Sequence, residues 1–181
     1  MKGLKLQNYN HLKKLKSFYE KVLIQKSSGQ KSSTLKKIMD ELIVSINSFG
    51  SPVFYIIVIL VLGIFSLSFA FKSVFSLISV EILCAAIKIF YNKPRPKRRK
   101  VTNLYTLYDS RSFPSAHSAR IAGVLSIVNF YYFDVFLLFI SVLLTGAVGY
   151  SRVYLKDHFI IDVLAGIVIG VFVSLGVMFL C

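Results

Sequence analysis

Five apolar stretches of near-bilayer length constrain this fold more than any other feature of the sequence: residues 52–71, 73–91, 114–132, 135–150 and 159–180. A helix needs about 20 predominantly apolar residues to cross the hydrocarbon layer. In that layer a spanning segment must satisfy its own backbone groups, which leaves helices or a closed barrel. The runs are continuous and not alternating, so helices are expected. The chain therefore reads as an all-α integral membrane bundle of about five transmembrane helices. The connections are short: Lys72 and Phe133-Asp134 read as tight turns, and a longer basic loop covers residues 92–113.

Two segments precede the spans. Residues 1–33 are lysine-rich and weakly amphipathic, then rich in Ser, Gly, Gln and Lys from Lys26, which predicts a surface helix and a linker. Next, Leu35, Ile38, Met39, Leu42, Ile43 and Ile46 form an apolar stripe opposite Lys36, Lys37, Asp40 and Glu41. That pattern predicts an amphipathic interfacial helix, ended by Gly50-Ser51-Pro52. The membrane domain accordingly runs over 34–181. The N-terminus is polar and basic with no apolar core, so a secretory signal peptide is not expected. Cys84 and Cys181 both lie in apolar stretches and read as buried thiols, not as a disulfide framework.

The 181 residues carry a formal net charge of +14. In a soluble protein that excess would point to nucleic acid. Here the aromatic residues lie mostly in the spans and not between the basic ones, so the expected partners are membrane lipids and anionic headgroups, with no nucleic acid.

The polar residues of the spans are not scattered. Lys88 and Arg95 fall at the end of the second span, and Ser115 and His117 at the start of the third. Ser151 and Arg152 close the fourth, and His158 and Asp162 open the fifth. In alternating spans all of these positions share one membrane face, and ionisable groups at such places mark function. Three cations suit a phosphoryl group, with arginine able to fork two oxygens. His158 and Asp162, four residues apart, would share a helical face, where a carboxylate can fix an imidazole's tautomer for nucleophilic attack. A second histidine, His117, suits general acid chemistry. No cluster of Asp, Glu or Cys has metal-ligand spacing, so no metal and no cofactor is expected.

Three motifs in this order, Lys88-x6-Arg95-Pro96, Pro114-Ser115-Ala116-His117 and Ser151-Arg152-x5-His158-x3-Asp162, resemble the type 2 phosphatidic acid phosphatase superfamily, membrane lipid phosphatases related to vanadium haloperoxidases. The resemblance covers roughly residues 50–180. It implies that His158 forms a phosphohistidine oriented by Asp162, and that His117 protonates the leaving group. Lys88, Arg95, Arg152, Ser115 and the Ala116 amide would hold the phosphoryl oxygens without a metal. The expected function is thus an integral membrane lipid phosphatase acting on a lipid phosphate or polyprenyl diphosphate, such as a prenyl diphosphate, phosphatidate or phosphatidylglycerophosphate. Two alternatives stand beside it: a lipid phosphotransferase using the same site, and a non-catalytic protein binding anionic lipid.

The sequence departs from the family pattern twice. Ala116 stands where glycine is usual. The family's customary first span is replaced by the basic segment 1–33, which puts the N-terminus on the face of the site. The positive-inside rule then leans toward a cytoplasmic-facing site at the membrane–water boundary of a multi-pass cell-membrane protein.

Overall fold

The computed structural model describes residues 34–98 and 100–180; the surface helix and linker expected over 1–33, and Cys181, lie outside the described residues. Among the described residues the chain is helical, with no strand beyond an isolated antiparallel bridge between Pro94 and Arg111. Seven helices follow one another: α1 Thr34–Ser48, α2 Pro52–Phe65, α3 Leu67–Phe90, α4 Leu104–Ser110, α5 Ala116–Tyr132, α6 Val135–Tyr154 and α7 Ile160–Leu180. Two compact units divide within α1, between Ile43 and Val44. In the first, Leu35, Ile38, Met39 and Leu42 are exposed. They are the apolar stripe of a helix suited to a membrane interface.

The second unit, Val44–Cys181, holds α2 to α7. Three of its helices, α3, α6 and α7, are long and apolar enough to cross a membrane. The other two expected spans are shorter helices. α2 has 14 residues and α5 has 17; at about 1.5 Å per residue both fall short of a hydrocarbon layer of about 30 Å. The first predicted span, 52–71, is divided because Ser66 ends α2 and caps α3, its hydroxyl accepting from Phe69 N–H. Lys72, expected to mark the turn, lies inside α3. A serine oxygen satisfies orphan helix donors, whereas a lysine does not, so the cap sets the boundary. At the other corner the expected turn is present: Phe133 is left-handed at φ 44°, and Asp134 caps α6 by accepting from Leu137 N–H at 2.7 Å.

The centre of the unit is α5, which packs most extensively on α7 and also on α3 and α6. Small residues permit this. A Cβ at Gly166 or Gly170 of α7 would run into the backbone of Ser115 or Ala119 on α5. Val80 and Cys84 of α3 close over Ala116 and Ala119, while Tyr55, Ile121, Val124 and Val148 form a second buried cluster. Ser76 and Ser174 join α3 to α7 through a 2.6 Å hydroxyl pair. The close seat of α5 fixes where its N-terminus, carrying Ser115, Ala116 and His117, lies relative to α7.

Candidate active site

The link between α6 and α7 sets the central histidine. Lys156 adopts a left-handed φ of 57°, and the amides of Asp157 and His158 both donate to the Arg152 carbonyl, at 3.1 and 3.2 Å. This tight return turns His158 inward, where it is 2% exposed. Its Nδ1 lies 2.6 Å from the Ser112 carbonyl. A carbonyl only accepts, so Nδ1 is the protonated nitrogen and Nε2 keeps its lone pair. His158 lines a pocket of ≈290 Å³ together with Lys88, Arg95, Ala116, His117 and Arg152. Six residues singled out from the sequence are thus gathered around one cavity.

Two others are not on its wall. Ser115 is fully buried beneath it, where its hydroxyl caps α5 against Ser118 N–H and pairs with Ser118 Oγ at 3.0 Å. Its amide donates to the Asp162 carbonyl at 2.9 Å, joining α5 to α7. Asp162 itself does not make the expected hydrogen bond to His158, the oxygen–nitrogen separation being 3.9 Å. The reason is local: α7 starts at Ile160, so His158 precedes the helix and the four-residue spacing no longer means a shared face. Instead Asp162 Oδ1 pairs with Lys93 Nζ at 2.5 Å, and Oδ2 accepts from Phe159 N–H at 2.9 Å.

The arginines are held by acids that the motifs do not contain. Asp157 bridges them, lying 3.5 Å from Arg95 Nη1 and 3.0 Å from Arg152 Nη2. Arg95 also pairs with Asp109 at 3.0 Å, and Arg152 donates to Asn47 Oδ1 at 2.7 Å. Lys88 sits 4.5 Å from the ring centre of Tyr108, a cation–π distance. Tyr108 and Asp109 come from α4, a seven-residue helix in the predicted loop, started by an Asn103–Thr106 capping box. Arg111, just after it, donates to the carbonyls of Lys88 and Ile89, tying the loop to the end of α3.

Sequence reasoning missed Lys93, Arg120 and Asp157, and gave Gly50 only the role of ending α1. Arg120 follows His117 by three residues on α5, a spacing that places both on one helical face and was a usable signal. It pairs through Nε with Glu81 and donates through Nη1 to the Gly50 carbonyl at 2.8 Å. Gly50 lies directly under the His117 ring, where a Cβ would collide with it. Lys93 and Asp157 carry no spacing signal, because their partners come from other elements.

Burial pushes the imidazole of His158 well below the usual histidine range, and Arg152, Arg95 and Lys88 push it further, against the Ser112 carbonyl. The site therefore presents a neutral, tautomerically fixed imidazole amid three cations, Lys88, Arg95 and Arg152, with the Arg120–Glu81 ion pair at its edge. Such a cavity suits an anion with several oxygens next to a nitrogen lone pair.

The profile of the PAP2 superfamily matches residues 69–180, more than half of the chain. No curated protein sequence matches significantly. Among solved structures, the crystal structure of Aquifex aeolicus LpxE superposes with a TM-score of 0.67 at 22% identity, covering 78% of this chain and 86% of that one. A transmembrane PAP2-type phosphatidylglycerolphosphate phosphatase from Bacillus subtilis superposes with a TM-score of 0.65 at 24% identity, covering 77% and 75%. Both share the fold. With the family profile running over most of α3 to α7, the chain belongs to the PAP2 superfamily of membrane lipid phosphatases and is an integral membrane enzyme of the phosphoric-ester hydrolase class.

Proposed function

We propose that the enzyme hydrolyses a lipid phosphate through a phosphohistidine on His158. The observation that carries this reading is the Nδ1 contact to the Ser112 carbonyl, which leaves Nε2 as a lone pair at the wall of the cationic pocket. In the first step that lone pair forms an N–P bond while the bond from phosphorus to the lipid oxygen breaks. His117 gives the leaving oxygen a proton. In the second step water attacks phosphorus, His117 takes its proton, and the N–P bond breaks to return His158 and release phosphate. Lys88, Arg95 and Arg152 hold the equatorial oxygens as charge shifts toward the leaving group. The Ala116 amide, at the start of α5, adds a donor where a helix N-terminus favours anions. Asp162 acts on His158 indirectly, by anchoring Phe159 and Lys93 around it.

A lipid is the natural carrier of the phosphate, because the pocket lies at one end of membrane helices and the Bacillus subtilis structure of the same fold is named as a phosphatidylglycerolphosphate phosphatase. Charge supports a reading of the side of the membrane: Lys93, Lys97, Arg98 and Lys100 flank the site, whereas Lys72 lies at the opposite end of α3. That asymmetry supports a cytoplasmic-facing site.

The test is phosphate release by the purified full chain in detergent, with EDTA present, from phosphatidate, phosphatidylglycerophosphate and a prenyl diphosphate. Release is expected to fall at least about 10³-fold in His158→Ala, the scale of losing a covalent nucleophile. Protein quenched in alkaline detergent should carry a phosphoryl group that acid treatment removes and that the variant lacks. Undiminished release in His158→Ala would overturn the assignment of the nucleophile. An added alcohol acceptor that diverts the phosphoryl group would mark a transferase instead.

A further inference from the structure

Pro52 and Arg120 line the catalytic pocket, and both also line a second cavity of ≈420 Å³ between α2 and α3. Apart from Glu81 and Tyr55 its remaining walls are apolar, among them Ile56, Ile59, Leu60, Ile78 and Ile82. Ile56, Leu60, Ile78 and Ile82 are each more than half exposed, so the cavity opens sideways on helix faces that meet lipid. The polar groups at its mouth are Arg120 and Glu81, joined as an ion pair. A neck carrying one cation and one anion thus separates a cationic chamber from an apolar one.

We infer that this neck selects the substrate: the apolar cavity takes the hydrocarbon chain, and the Glu81–Arg120 pair admits a chain joined to a single phosphate while rejecting a diphosphate. The inference rests on the phosphatase reading for the placement of the transferred phosphoryl group. With that group beside His158 and the chain between α2 and α3, whatever joins them lies at the neck. In a phosphate monoester the joint is an ester oxygen that His117 can protonate. In a diphosphate it is a second phosphate carrying negative charge.

The neck is poorly equipped for that charge. Arg120 is 8% exposed, its Nε is committed to Glu81 and its Nη1 to the Gly50 carbonyl. Its net charge is cancelled by the adjacent carboxylate. A phosphate placed there would lose water without gaining an uncompensated cation, and would meet Glu81 as a like charge. The uncharged oxygen of a monoester meets neither cost.

The experiment uses a matched pair, a prenyl monophosphate and the diphosphate of the same prenyl chain, with the purified full chain in detergent micelles. Dissociation constants are read from ligand-induced thermal shifts, and phosphate release is followed in parallel. The wild type should bind the monophosphate about tenfold more tightly, and Glu81→Gln should narrow or reverse that ratio by a similar factor. The double variant Glu81→Gln/Arg120→Gln has an uncharged neck again and should return to the monophosphate preference. A wild type that binds the diphosphate as tightly overturns the inference without need of any variant. So does a Glu81→Gln protein with an unchanged ratio. Binding is read whether or not turnover occurs. Selective binding of the monophosphate with no His158-dependent release would overturn the phosphatase reading and leave the neck standing; equal binding and release from both lipids would do the reverse.

Discussion

Asp162 has no contact with solvent, and its carboxylate is held there by Lys93 on one oxygen and the Phe159 amide on the other. Lys93 also rests on the Phe159 ring, 4.7 Å from its centre, so one cation steadies both the acid and the residue next to His158. Lys93→Met leaves a buried carboxylate without its charge partner. The expected cost is roughly 3 kcal/mol of stability, seen as a lower melting temperature, with activity reduced in the protein that remains folded. Lys93→Arg should recover most of the stability. His158 gives a pH signature of the opposite kind. Its folded-state affinity for a proton is depressed by burial and by Arg152, Arg95 and Lys88. Below the unfolded value of about 6.5 the unfolded chain takes up a proton that the native site refuses, so stability falls as pH falls. Between pH 7 and pH 5 the loss due to His158 should reach about 2 kcal/mol, and His158→Asn should remove that share of the slope. A profile that is already flat in the wild type would contradict the buried neutral imidazole. The residues of the three motifs were legible because their spacing in the chain carries them. Lys93 and Asp157 were not, because a partner reached across a loop leaves no period in the sequence.

The α5–α7 contact decides whether the site is assembled at all. Gly166 and Gly170 let the two helices approach until a side chain would strike backbone, whereas Gly146 and Gly176 face open space. Gly170→Ala should therefore cost about 2 kcal/mol or more, as overpacking does, while Gly146→Ala and Gly176→Ala should be neutral or mildly stabilising in a helix. Gly166→Ala strikes the Ser115 carbonyl, next to His117, and should lower turnover beyond its effect on stability. Thermal melting in detergent and activity per folded molecule separate these outcomes. The long helices were readable from hydropathy, since an apolar run of span length has few alternatives. The break at Ser66 was not, because capping by one hydroxyl outweighs the lysine that seemed to punctuate the run. Nor was α4, which is too short to show a period and is recognisable only by its Asn103–Thr106 start.

At the scale of the molecule, charge and topology converge on one end of the bundle. If the site faces the cytoplasm, a cysteine placed at Lys100 in a protein lacking its native cysteines will react with a membrane-impermeant maleimide in inverted vesicles and stay unlabelled in intact cells. The reverse pattern would place the site outside. The same topology has a consequence for synthesis. Asn47 holds Arg152, Gly50 supports Arg120, and the Ser115 amide is anchored by Asp162 from the last helix. No earlier portion of the growing chain contains all of these partners. A ribosome that has delivered α2 to α5 has placed their cations in the bilayer with nothing yet able to turn them toward a phosphate. Only when α7 emerges does the chain become an enzyme, so a polypeptide stalled one helix short is catalytically silent.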